Sequence, residues 1–163
     1  DSDDSPIFER PAYIDNMAYF PTFAGRVFPV DVSGKVAQVA ESWHLVPEDE
    51  RAQGWAPGGI GITAEDDLGR FYVLMHPDAT DGSHNGGGAE VWVYDPVAQE
   101  RVARIALREW GVSLGVSRGS EPKLLVTNPV DMSLELYDVL SGEFLKTITD
   151  LGQNTPLMLY GSR

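Results

Sequence analysis

Apolar residues along this chain fall in short runs separated by turn sequences. Glu90–Tyr94 (EVWVY) and Leu134–Tyr137 (LELY) read as strictly alternating strands, whereas Phe71–Met75 (FYVLM) is continuously apolar, as an inner strand would be. The breaks between runs are VSGK at 32–35, AEDDLG at 64–69, RGSEP at 118–122 and LSGE at 140–143. In these breaks glycine supplies the positive φ that tight hairpins need. Long helical periodicity is absent. One short helix is predicted over Pro47–Ala52 (PEDERA), with acids in the first turn and Arg51 late, which matches the helix dipole.

The runs repeat. EVWVYDPVAQERVARIAL (90–107) aligns with LELYDVLSGEFLKTITDL (134–151), each giving a strand, Tyr-Asp, a turn and a second strand. Asp95 and Asp138 hold matching places, and a fainter copy at 26–41 puts Asp31 in the same role. In each copy the aspartate ends a strand, where its carboxylate can accept N–H groups from the following turn. Two earlier strands precede each copy: 11–14 with 17–22, 59–63 with 70–76, and 112–117 with 123–128. The fold class is therefore all-β, with about three four-stranded antiparallel blades of a β-propeller. The blades fall at 11–43, 55–107 and 108–151, and residues 155–160 start a further strand. Propellers close with about 4 to 8 blades, so this portion needs the remaining blades, or another partner, to cover its open sides. A sandwich is the structural alternative, which the blade-sized repeat argues against.

Charge narrows the partners. Twelve Lys and Arg stand against 25 Asp and Glu, a net charge of −13 over 163 residues. Such a surface repels nucleic acid and anionic lipid. No stretch is long and apolar enough to span a bilayer. The absence of cysteine excludes disulfides, thiolate metal sites and a Cys nucleophile. The first residues, DSDDSPIFERP, lack the basic and apolar regions of a secretion signal, which fits a processed or truncated chain.

One segment is more specific than the repeat. The run from LVPEDERAQGWAPGGIGITAEDDLGRFYVLMH through VWVYDPVAQERVARI resembles the heavy subunit of the quinoprotein methylamine and aralkylamine dehydrogenases. The landmarks are the ER pair at 50–51, Gly54-Trp55, Pro57-Gly58-Gly59, the strand at 70–74 and a long polar loop containing His84. GVSRGSEPKLLVTNP and the ending SGEFLKTITDLGQNTPLMLY extend the resemblance from about Ala24 to Tyr160. It implies a seven-bladed propeller of which this chain supplies the C-terminal three blades or so. It also implies a periplasmic complex with a light subunit carrying tryptophan tryptophylquinone, made from two of that subunit's own tryptophans. Amines would be oxidised there, and electrons passed to a small acceptor, an amicyanin-like copper protein or a cytochrome c. The chain departs from the family's pattern at Ile60, Ile62 and Glu65, in the loop HPDATDGSHNGGG, and at Glu109-Trp110. No family catalytic residue carries over, so no catalytic or cofactor-binding residue is expected here.

The residues offer other chemistries to weigh. GWAPGGIG (54–61) has the glycine content of a phosphate loop, but the following ITAEDD is acidic and strand-like and lacks Lys-Ser/Thr. Trp55, Pro57, Gly58 and Gly59 read instead as the turn leading into a blade. His76, Asp81 and His84, with Asp78 and Glu90 nearby in sequence, carry imidazole and carboxylate groups suited to zinc or another divalent ion. The same loop has the composition of a solvated connection. Asp66-Asp67 reads as a hairpin turn, and no Ser lies in a nucleophile elbow. A propeller binding module that has lost dehydrogenase activity stays open beside the amine dehydrogenase reading.

Overall fold

The computed structural model describes residues 10–59, 63–79 and 86–151. They form three antiparallel sheets, each a meander in chain order. The first contains β1 (Ala12–Ile14), β2 (Met17–Pro21), β3 (Arg26–Asp31) and β4 (Gln38–Val39), with β5 (Trp43–His44) returning to pair with β3. A single-turn helix, α1 (Glu48–Ala52), leads to the second sheet. There β6 (Ala56–Pro57) and β7 (Thr63–Glu65) both pair with β8 (Phe71–His76), which is followed by β9 (Gly88–Asp95) and β10 (Glu100–Gly111). The third sheet is β11 (Ser113–Val116), β12 (Lys123–Asn128), β13 (Ser133–Asp138) and β14 (Phe144–Ile148). The leading strands meet across sheets, β1 against β7 and β7 against β11. Meandering sheets that converge on their first strands are β-propeller blades.

Two apolar layers hold the blades together. Phe71, Val73, Met75, Trp92 and Tyr94 pack with Ala12, Ile14, Tyr19, Val27 and Trp43 of the first sheet. Tyr72, Leu74, Val91, Val93 and Ile105 pack with Leu114, Val116, Leu124, Val126 and Tyr137 of the third. The second sheet is therefore covered on both faces, which explains the unbroken apolar run in β8. Each such side chain contributes about 1.5–3 kcal/mol by leaving water. Aromatic rings thicken the first layer: Phe71 stacks on Tyr19 at 5.6 Å and on Tyr94 at 5.2 Å.

Both expected alternations need correction. Val91–Tyr94 has no solvated face, because both neighbouring sheets cover it. In β13 the alternation exists but is inverted: Glu135 is 3% exposed while Leu134 and Leu136 are only half-buried. Glu135 faces the second sheet, where the Tyr137 hydroxyl donates to its carboxylate. The two leucines lie on the far face of the last described blade.

Two elements differ in extent from the sequence reading. Pro47 is the N-cap of α1, so the helix starts one residue later, and no side chain caps it. β10 runs on to Gly111, beyond the expected boundary at 107, with register shifts after Arg101 and after Ala106. Those bulges, together with Arg101, Arg104 and Arg108, blunt a long outer edge that would otherwise template strand pairing. Ile60, Ile62 and the strand expected at 155–160 lie outside the described residues.

Candidate functional site

The segment Gly54–Gly59 sits where β6 meets β8 and where the second blade hands the chain to the third. Ala56 and Pro57 pair with His76 and Met75, and Gly58 donates its N–H to the Leu74 carbonyl at 3.1 Å. A Cβ on Gly58 would lie 2.6 Å from the Gly87 carbonyl oxygen and 2.7 Å from the His76 Cβ. At Gly59 it would lie 2.8 Å from the Val112 oxygen, and at Gly87 2.3 Å from the Gly111 oxygen. Glycines from three separate stretches thus converge so that backbones touch. The Gly58 N–H is spent on the Leu74 carbonyl in the sheet rather than left free to meet a phosphate.

Trp55 lies beside this node, in a cluster with Trp92 at a ring distance of 5.3 Å. The Arg104 guanidinium sits 4.8 Å from both indole rings, and that of Arg101 sits 4.1 Å from Trp92. Arg104 grips Glu90 with two bonds of 2.7 and 2.9 Å and reaches Glu50 of α1 at 2.9 Å. Arg101 also holds Glu50 through both carboxylate oxygens. Glu90 accepts the Trp92 indole N–H at 2.6 Å, and its bonds hold the Arg104 guanidinium more firmly protonated than usual. The cluster anchors α1, and through it the link between first and second blades, to the second blade. Sequence reading missed it because Glu50, Glu90, Arg101 and Arg104 meet only after the sheet pairs. The strand spacing Trp92, Tyr94 and their partners on β10 was the available signal.

A second ionic cluster joins all three blades. Glu65, 2% exposed, accepts Arg10 of the first blade at 3.3 Å and Arg118 of the third at 2.8 Å. Asp67 accepts Arg118 at 3.1 Å and the Gly119 N–H at 2.9 Å. Asp66, in the same turn, is buried and takes the N–H groups of Leu68 and Arg70, both arms of the Arg70 side chain and the Tyr72 hydroxyl. Burial and this carboxylate push the Tyr72 phenol well above its ordinary range. The acidic hairpin is therefore also an interblade clasp.

The three repeat aspartates end β3, β9 and β13. Asp31 accepts the Ser33 N–H at 2.8 Å, and Asp95 accepts those of Val97 and Ala98 at 2.9 and 3.1 Å. Asp138 accepts Leu140 and Ser141 at 3.0 Å each and the Lys123 ammonium at 2.7 Å. The Lys123 ammonium and these turn N–H groups hold the Asp138 carboxyl far below the usual carboxylate range.

Among the described residues no group of three His, Asp or Glu side chains is placed to hold a metal ion. His76 ends β8, where its Nδ1 accepts the Asp78 N–H at 3.0 Å and its ring meets Trp110 edge-on at 4.9 Å. Burial lowers its pKa below 6.5, so the imidazole is neutral at pH 7, with the remaining proton on Nε2. Glu90 is engaged in the tryptophan–arginine cluster, and Asp81 and His84 lie outside the described residues. An open cleft of about 440 Å³ lies between the first and second blades, lined by His44, Pro47, Glu48, Arg51, Tyr94 and Arg101. The Tyr94 hydroxyl closes one wall by donating to the Leu45 carbonyl at 3.1 Å. The described residues bring together interblade clasps and packed aromatics.

Comparison with known proteins gives a consistent picture. The family model "Methylamine dehydrogenase heavy chain (MADH)" matches residues 1–160. The methylamine dehydrogenase heavy chain of Methylorubrum extorquens is 25% identical over 158 residues, covering 94% of this chain and 38% of its own length. That of Paracoccus versutus is 27% identical over 160 residues, covering 96% of this chain and 37% of its own. The Methylophilus methylotrophus protein is 25% identical over 146 residues, covering 90% and 36%. The chain thus spans less than two fifths of the length of these relatives.

Proposed function

Because this chain belongs to the methylamine dehydrogenase heavy-chain family, we propose that it is a non-catalytic, scaffold part of an amine dehydrogenase heavy subunit. Its blades hold a light subunit that carries the tryptophan tryptophylquinone. That cofactor supplies the oxidative deamination of a primary amine, with electrons leaving to a copper protein or a cytochrome. The complex works in the periplasm, and the remaining blades complete a seven-bladed propeller around these three.

The observation that carries the reading is the family match across nearly the whole chain, joined to what the side chains do. Conspicuous polar residues tie blades and their connector together: Glu65 with Arg10 and Arg118, and Glu50 of α1 with Arg101 and Arg104, the latter also braced by Glu90 within the second blade. The tryptophans Trp55 and Trp92 are sandwiched by these arginines, a packing role.

Capture of the tagged chain from its native source tests the proposal. A small subunit that stains for a covalently bound quinone should come down with it in stoichiometric amount. Recovery of the chain free of any such subunit overturns the proposal and leaves a propeller binding module.

A further inference from the structure

The glycine node and the open cleft lie at opposite ends of the second blade. β9 starts at Gly88 beside the node and finishes at Asp95, whose turn into β10 forms one wall of the cleft. A second wall is α1, and the floor is Leu45, Val46 and Tyr94, all buried. At about 440 Å³ the cleft falls in the size range of small-molecule sites, and like them it joins an apolar floor to polar walls.

Floor and walls are fixed before anything binds. The Leu45 N–H donates to the Gly25 carbonyl at 2.7 Å, and the Tyr94 hydroxyl ties the Leu45 carbonyl to the second blade. Arg101 grips Glu50 through both carboxylate oxygens and so pins α1. The turn is held by the Asp95 carboxylate, with Gln99 set at a φ of 56°. Binding in such a preformed cleft costs little further ordering.

Beside these committed groups, the cleft keeps polar side chains with bonds still to give. Glu48 and Arg51 on α1, and Gln99 and Glu100 on the turn, make no side-chain hydrogen bond or ion pair to any described residue. Glu48 and Arg51 stand three apart on one face of the helical turn, a spacing at which opposite charges ordinarily meet. Here their pair is open, and both line the cleft. A guanidinium offers a planar fork that matches a carboxylate, whereas an ionised carboxylate only accepts.

We propose that this cleft binds a free α-amino acid with an apolar or aromatic side chain. Its carboxylate takes the Arg51 fork, its ammonium donates to Glu48 and Glu100, and its side chain lies over Leu45, Val46 and Tyr94. The zwitterionic head group thereby completes the ion pair that α1 leaves open. A simple anion would face Glu48 and Glu100 as like charges, and a simple amine would leave Arg51 uncompensated. Nothing in this site depends on the heavy-subunit reading.

Equilibrium dialysis of the full chain, purified with whatever subunits accompany it, against radiolabelled L-phenylalanine tests the site. Wild type should take up one equivalent per chain, saturably, with a Kd of about 0.1–1 mM. Unlabelled 2-phenylethylamine and 3-phenylpropionate each lack one head-group charge, so each should displace the label at least about tenfold less well than phenylalanine does. Arg51→Gln and Glu48→Gln should each weaken uptake by about fivefold or more, and Arg51→Lys should recover part of the loss. Lys146→Gln, exposed on the third blade, should change nothing. Circular dichroism on each variant excludes misfolding as the cause of a loss. Absence of saturable uptake by the wild type overturns the proposal. So does uptake that Arg51→Gln leaves within twofold, or that 2-phenylethylamine displaces as well as phenylalanine does.

Discussion

Replacing Gly58 by alanine adds one methyl group at the centre of the glycine node. The nearest atoms to that methyl would be the Gly87 carbonyl oxygen at 2.6 Å and the His76 Cβ at 2.7 Å. Neither is the far end of a flexible side chain. The first is backbone already pressed against Gly111, and the second is fixed by the pairing of Ala56 with His76. Relief therefore requires backbone movement across β6, β8 and the start of β9. Overpacking of this kind costs about 1–3 kcal/mol. For a domain of this size that is a fall in Tm of roughly 3–10 °C. Gly34→Ala is the matched control, because its nearest neighbour is the Val36 carbonyl oxygen at an ordinary 3.5 Å in an exposed turn. That substitution should be neutral, or stabilising by a few tenths of a kcal/mol through the unfolded chain. Thermal unfolding followed by circular dichroism reads both. A Gly58→Ala protein melting within about 1 °C of wild type would refute the close-approach account of this stretch.

Other perturbations address the clasps and the imidazole. Arg104→Ala removes bonds to Glu90 and Glu50 and the lid over Trp55 and Trp92; with the side chain 36% exposed, the loss in urea unfolding should be about 1–2 kcal/mol. Arg104→Lys keeps the charge but not the fork, so it should recover no more than about half; full recovery would contradict the bidentate assignment. Glu65→Gln keeps the volume but not the charge shared by Arg10 and Arg118, and should cost about 1–3 kcal/mol, with amide exchange rising in β1, β7 and β11. His76 has a folded pKa below its ordinary 6.5, so between the two values the unfolded chain binds more protons. The stability it contributes is complete above pH 6.5 and is lost as pH falls through the folded value. An NMR titration of its ring should give a midpoint under 6.5, and His76→Gln should lose less stability than wild type between about pH 7 and 5.5.

The blades were legible because hydrophobic runs, Tyr-Asp strand ends and Gly turns are all local signals. Phe71–Met75 announced an inner strand, and the structure covers it on both faces. What escaped was whatever depends on which sheet lies opposite. Val91–Tyr94 is covered twice only because blades stand on both sides, and Glu135 points inward only because Tyr137 and the second blade receive it. The interblade clasps escaped for the same reason: Glu65 and Arg118 are far apart in sequence and meet only where leading strands converge. Gly54–Gly59 was legible as a turn, while the need for glycine at 58 and 59 comes from Gly87 and Val112, which no local pattern names. Trp110 carried no sequence signal of exposure, since a tryptophan ending an outer strand looks like any other core aromatic.

The central claim, a scaffold for a quinone-bearing subunit, meets its most direct test in one spectrum. The species captured from the native source is placed in a cuvette and its visible absorbance recorded before and after adding methylamine or an aralkylamine. The account predicts a coloured complex whose quinone band bleaches on amine addition and returns with an artificial electron acceptor. A colourless protein, or a band indifferent to every primary amine offered, would contradict it.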